Sequence, residues 1–276
     1  MKTALLFWHM VLILACAGPS VWADEASFYQ GTCRNVTHSV DGLLKLYLLE
    51  RADGTLDGYM SISGWLVGSG RVTGTKTGNT YQFKTADSQG RESIKWEGVK
   101  GSEKISGEYY TQADGQAGEW NISLQSHSEI GEKLPKESFE QYFMLKLETD
   151  LNSNVKLEDG STQTGAQALF STIHPVGTGI SVSVDSVGIE WKDGASMTST
   201  DEIRRYTIDY TLYWSGIVQA FGHSKLRMSF NANLGRITAH DLISTTGTTK
   251  TDVEEMAFGI GVLLGKAAME SLLQAE

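Results

Sequence analysis

The chain has 276 residues, with 23 Lys and Arg against 33 Asp and Glu and a formal net charge of −10. That acidic balance argues against nucleic acid as a partner, because affinity for phosphates comes from Lys and Arg. With 30 glycines and 3 prolines, the composition fits compact β-structure with tight turns and not a disordered chain.

The first residues read as an address. Met1-Lys2 is a short positive start, 4–17 is an apolar run broken by His9, and Gly18-Pro19-Ser20 interrupts it before Val21-Trp22-Ala23. This is the pattern of a secretory signal, with cleavage expected between Ala23 and Asp24. The run falls short of the roughly 18–20 residues that a transmembrane helix needs. Ile13-Leu14-Ala15-Cys16 also resembles a bacterial lipobox, in which Cys16 would carry a lipid anchor. Either reading sends the chain out of the cytoplasm, as a periplasmic, secreted or lipid-anchored protein. Removing residues 1–23 takes away Lys2 and no acid, and leaves Cys33 as the one cysteine of the mature chain. Cys33 therefore forms no internal disulfide and is read as a thiol buried in a β-core.

Residues 24–130 form the first expected domain. Short alternating strands are predicted over 28–36, 43–51, 56–63, 67–76, 80–85, 93–99, 105–111 and 118–124. Asp53-Gly54, Gly78-Asn79 and Asp114-Gly115 lie between them, and such pairs are strong hairpin signals. Tyr81, Phe83, Ile94, Trp96, Ile105, Tyr109, Trp120, Ile122 and Leu124 fall on one face. Gln82, Lys84, Lys95, Glu97, Glu108 and Asn121 fall on the other. One dry and one wet face predict an antiparallel meander closing over a single core. Gly58, Gly98 and Gly107 stand inside strands and are read as bends of a small barrel. Strand count, spacing and the cadence Gly107-Glu108-Tyr109 and Gly118-Glu119-Trp120 resemble the lipocalin and avidin-like calycin barrels. That resemblance implies a small ligand held in the barrel mouth. Against it, Phe83, Trp96, Tyr109 and Trp120 have the bulk to fill a small barrel with side chains.

Residues 131–276 form the second expected domain, an α+β arrangement of a curved antiparallel sheet with helices. Residues 125–135 lose the alternation and mark the boundary at Pro135. Residues 136–151 suit a helix and, more weakly, a strand; 162–173 is a short helix candidate ending near Pro175. Ile180, Val182 and Val184 alternate in one phase and Val187, Ile189 and Trp191 in the other, which predicts a β-bulge at Asp185-Ser186. Strands follow over 203–215, around 226–230 and over 236–245. A terminal helix over 252–274 opens on Asp252, Glu254 and Glu255, as the helix dipole favours. In element order the half resembles the cystatin or nuclear-transport-factor-like (NTF2-like) class.

Several chemistries are made improbable. The stretch 68–77 lacks the Gly-Lys-Ser/Thr ending of a phosphate loop, and Gly259, Gly261 and Gly265 lie in an expected helix. His38, His127, His174, His223 and His240 stand singly without metal-ligand spacing, and no nucleophile elbow is present. No metal or cofactor is expected. The most interesting polar set is the second face of the C-terminal sheet: Arg205, Thr207, Asp209, Thr211 and Tyr213, then Lys225 and Arg227, then Thr238 and His240. Under a covering helix, Arg205, Asp209, Tyr213, Arg227 and His240 would line a pocket, with Asp209 and His240 as an acid–base pair; facing water, they are cross-strand pairs. Asn35-Val36-Thr37 and Asn121-Ile122-Ser123 fit a glycosylation sequon, but a bacterial-looking signal implies no glycan. The sequence thus reads as a non-enzymatic exported envelope protein that binds a small apolar molecule or an envelope protein. A structural or assembly accessory is the first alternative, and a hydrolase or isomerase using the C-terminal sheet the second.

Overall fold

The computed structural model describes residues 25–64, 66, 68–86, 92–112, 114–130, 134–156, 160–166, 179–192, 203–215, 221–232, 234 and 236–246. The expected signal with Cys16, Ala23 and Asp24, and the expected helix over 252–274, lie outside the described residues. The protein is mainly β. Eight antiparallel strands close a barrel: β1 (Glu25–Asn35), β2 (Val40–Glu50), β3 (Thr55–Gly64), β4 (Gly70–Thr77), β5 (Thr80–Ala86), β6 (Glu92–Lys100), β7 (Lys104–Thr111) and β8 (Ala117–Glu129). Each pairs with the next, and β1 also pairs with β8, so no strand edge is left open.

Turn chemistry sets this register. Between β4 and β5, Thr77 pairs with Thr80 across Gly78-Asn79, and Gly78 has φ of 58°, which a two-residue hairpin turn demands. Between β2 and β3 the Asp53 carboxylate accepts from the Thr55 N–H at 2.8 Å. Alternation then sends Tyr29, Leu44, Leu46, Met60, Val72, Tyr81, Phe83, Ile94, Trp96, Ile105, Tyr109, Trp120 and Ile122 inward, all buried in one cluster with Cys33. Burial pushes the Cys33 thiol up to about 12, with Asp41 adding to the effect, so it stays protonated and unreactive.

The interior is packed with rings. Trp96 lies 6.1 Å from Phe83, 4.8 Å from Tyr109 and 6.0 Å from Trp120, and Phe83 lies 5.7 Å from Trp120, measured between centroids. The Trp120 indole N–H donates to the carbonyls of Glu97 (3.2 Å) and Glu108 (3.1 Å), bridging β6 and β7. Gly98 and Gly107 face each other across those strands, and a Cβ on Gly98 would run into the Trp120 ring. Gly98 thus makes room for the indole, while a Cβ on Gly107 would run into the Glu97 carbonyl and the Gly98 Cα, so that glycine lets β6 and β7 approach closely. Trp96 donates to the buried Thr85 hydroxyl at 3.3 Å.

One outer face is covered. α1 (Lys136–Asn152) starts after Pro135 and lies on β2 and β3. Tyr47 and Tyr59, cross-strand partners, meet Tyr142 edge-on at 5.7 and 5.5 Å. Thr149 donates to the Met60 carbonyl at 3.0 Å, and Lys45 meets Glu148 at 2.7 Å with side chains 12% and 1% exposed. Lys136–Asn152, which the sequence reading assigned to the second domain, therefore packs on the barrel, within a compact unit Ser20–Val155. β8 also runs on to Glu129, past the expected loss of alternation at 125. Its last residues are polar because Ser126 and Ser128 bond to Gln141 and Ser138 of α1.

A short ribbon follows, β9 (Asn154–Lys156) and β10 (Thr162–Thr164). Thr162–Thr164 is thus a strand and not the start of the helix expected over 162–173; Gly165 and Ala166 are helical, and residues 167–173 lie outside the described residues. A four-stranded antiparallel sheet then forms from β11 (Gly179–Trp191), β12 (Ile203–Ser215), β13 (Phe221–Asn231) and β14 (Arg236–Thr246). The pairing shifts between Val184 and Ser186, which is the expected bulge. Val182, Val184, Tyr206, Ile208, Tyr210, Leu212, Leu226, Met228 and Phe230 form its buried face.

Candidate functional site

The polar face of the four-stranded sheet keeps some of the expected set together and separates the rest. Asp209 and Arg227 are direct partners across β12 and β13 and form a two-pronged ion pair, Nε to Oδ1 at 2.7 Å and Nη2 to Oδ2 at 2.8 Å. Ser186 donates to Asp209 at 3.3 Å. The Arg227 hydrogen bonds hold the Asp209 carboxyl below the usual range. Arg205 approaches Glu190 at 3.9 Å with both side chains about half exposed, and the Tyr213 ring lies 6.0 Å from His223. Asp209 thus has its charge matched on an exposed ladder and is not poised as a base.

His240 is on the other face. The β13–β14 register shifts between Ser229 and Phe230, opposite Thr238, and again between Lys225 and Leu226. The first shift turns His240 to pair with Met228, while Asp241 takes the place beside Arg227. His240 Nε2 lies 2.8 Å from the Tyr210 hydroxyl, and their rings stack with 7° between planes. Burial lowers the His240 pKa, with Asp241 pulling the other way. The expected Asp209–His240 pair is therefore not formed. Strict alternation through Thr238 put His240 on the wrong face, and a bulge of one residue is what moved it.

A second polar surface lies on the barrel, where the outer faces of β4 to β7 surround an open hollow of about 780 Å³. Two cross-strand rows line it. One runs Thr73, Lys84, Lys95 and Tyr110; the other runs Thr75, Gln82, Glu97 and Glu108, and continues to Glu119 on β8. Like charges thus stand directly opposite in both rows, Lys84 against Lys95 and Glu97 against Glu108. Tyr110 is 51% exposed. The sequence had put Lys84, Lys95, Glu97 and Glu108 on the wet face without pairing them. The two-residue turn at Gly78-Asn79 fixes only the pairs Thr73–Lys84 and Thr75–Gln82; Lys84–Lys95 and Glu97–Glu108 belong to the β5–β6 and β6–β7 registers.

Asn35, the first sequon residue, is buried and donates to Gln116 at 2.5 Å, so it is closed to a glycan. Among the described residues no group of three or more His, Cys, Asp or Glu is placed to hold a metal ion. Among them, too, no helix is long and apolar enough to cross a membrane.

No protein-family model matches the chain. No curated protein matches it either. Among solved structures, the chain is similar to a β-barrel-like protein of the domain of unknown function DUF1849 from Brucella abortus. The likeness covers 83% of this chain and 99% of that one at 7% identity, with a TM-score of 0.16. A likeness at that score carries no argument about function.

Proposed function

We propose that this is an exported, non-enzymatic protein of the bacterial envelope whose barrel is a solid support and whose binding is done by its outer surface. The observation that carries the reading is the ring-filled interior. Phe83, Trp96, Tyr109 and Trp120 sit 4.8–6.1 Å from their ring neighbours, where a ligand-holding calycin barrel needs an open chamber of about 300 Å³ or more. The accessory reading is thereby favoured over a small apolar ligand in the mouth. An acid–base enzyme loses its best candidates, because Asp209 is tied to Arg227 and His240 faces away from it.

The test is a titration of the mature protein with an apolar naphthalene-sulfonate dye and with a long-chain fatty acid, read by dye emission and tryptophan quenching. The reading expects no saturable one-to-one binding. Stoichiometric binding that quenches Trp96 and Trp120 contradicts it. Export rests on the N-terminal pattern of residues 1–23, and mass spectrometry of the cell-derived protein tests it. A mature start at Asp24 or a lipid-modified Cys16 agrees with export; an intact Met1 start overturns it.

A further inference from the structure

α1 meets the barrel with two unlike halves. Ala26 and Phe28, buried on the outer side of β1, pair with Ser128 and Ser126 of β8, and those serines bond to Ser138 and Gln141. The first turns of α1 therefore rest on an apolar patch, which the buried Leu49 and the Tyr47–Tyr142 ring contact extend. After Leu145 the contact changes character. Glu148, Thr149, Asn152 and Ser153 are buried, and so are Ser61, Ser63 and Ser69 on the barrel side. The bonds there are polar: Lys45 with Glu148 at 2.7 Å, Thr149 to the Met60 carbonyl at 3.0 Å, and Ser153 to the Ser69 carbonyl at 3.3 Å. Leu147 and Leu151 are buried too, but steps of about 100° per residue turn them to the side of α1 away from the barrel.

These halves separate from the barrel at different cost. Apolar surface holds together because water disfavours its exposure. A buried ion pair gains less, since both charges shed water to form it. Ser61, directly opposite Lys45 across β2 and β3, has a buried hydroxyl with no hydrogen-bond partner among the described residues, so exposure returns its bonds to water. We infer that the C-terminal half of α1 is a hinged flap: residues 146–152 lift from β2 and β3 by pivoting on the first turns, while the barrel stays closed. The barrel keeps its shape without the flap, because its strands pair all the way round and its core cluster contains no α1 side chain. Lifting wets Lys45, Ser61 and Ser63 and leaves Leu44, Leu46, Met60 and Ile62 in the interior. The flap thus switches a polar patch of the outer surface between covered and open, whatever that surface binds.

Thiol labelling tests this, because Cys33 supplies a reference inside the barrel. Cys33 is buried in the core cluster, so an aromatic disulfide reagent reaches it only when the barrel opens. The full chain carrying Ser61→Cys is treated with the reagent, and labelling at each thiol is followed by peptide mass spectrometry. Position 61 should react about a hundredfold or more faster than Cys33. Its rate should also rise much less steeply with urea, since lifting the flap exposes little surface. In a second variant, Ala26→Cys, the thiol beneath the first turns should react as slowly as Cys33. If Ser61→Cys fails to fold, Ser63→Cys takes its place. Equal rates and urea slopes at positions 61 and 33 overturn the flap, because α1 then leaves only when the barrel unfolds. Labelling at position 26 as fast as at 61 overturns the hinge, since the whole helix then comes away.

Discussion

The barrel has two outer faces that obey different rules. On β2 and β3 the outward residues Tyr47, Tyr59, Ser61 and Ser63 are buried, and α1 sets Tyr142 against Tyr47 and Tyr59, Glu148 against Lys45 and Thr149 against the Met60 carbonyl. On β5 to β7 the outward Lys95, Glu97, Glu108 and Tyr110 are exposed, with like charges side by side. The first face is complementary within the chain. The second sets Lys84 against Lys95 and Glu97 against Glu108 across its strands, so one face is built to be covered by the chain itself and the other is left open.

Breaking the covered face should have the largest effect. Lys45→Ala removes the ion pair from a Glu148 carboxylate buried under the helix, and urea denaturation should register a loss of up to about 3–5 kcal/mol. Replacing both partners, Lys45→Met with Glu148→Leu, should restore most of it; an equal loss in the double variant would mean that packing and not charge sets the cost.

A pH titration comes next. Because burial lowers the His240 pKa from 6.5, the folded chain holds fewer protons there than the unfolded one. The stability from a neutral His240 is present above about pH 6.5 and is lost as pH falls below it toward the depressed folded value. His240→Phe should remove that part of the acid loss, as measured by Tm at pH 5 and pH 7; a variant with the wild-type slope would show that His240 does not titrate in this range.

The open face should respond in the opposite sense to the covered one. Lys95→Glu alone should leave stability unchanged or raise it, by about 0.2–1 kcal/mol, in urea melts at low salt. A loss of more than that would mean the row of like charges is already compensated within the fold. Smallest of all, Arg227→Ala should cost no more than about 1 kcal/mol, since its exposed pair with Asp209 is screened by water. A much greater loss in the same urea melts would mean that a covering element makes the ladder a buried one.

The strands of the barrel were readable from residues because the turns and alternation that build them are local, whereas the closure of β1 on β8 joins distant residues. Hairpin turns such as Asp53-Gly54 and Gly78-Asn79 bracket the strands, and alternation from Tyr81 to Ile122 separates dry from wet. The bulge at Asp185-Ser186 was legible as a change of phase between Val184 and Val187. α1 was ambiguous for a physical reason: Ser138, Tyr142, Leu145 and Thr149 form one buried stripe while Phe139, Phe143, Leu147 and Leu151 form another. Apolar residues on two sides erase the single-stripe signature of a surface helix. The β14 bulge at Thr238 left no mark in the pattern, since Thr238, His240 and Leu242 alternate as in an unbroken strand. Where bulges fall decides which side chains share a face, so Asp209 and His240 were grouped wrongly while the strands themselves were found.

The most direct test of a solid barrel is hydrogen exchange at the indole N–H of Trp120, followed by NMR. Held by the carbonyls of Glu97 and Glu108 inside packed rings, that proton should exchange only through global unfolding, as slowly as the best-protected amides of β6 and β7. Exchange orders of magnitude faster, without loss of those amides, would mean water reaches the barrel axis and the interior is open to a ligand.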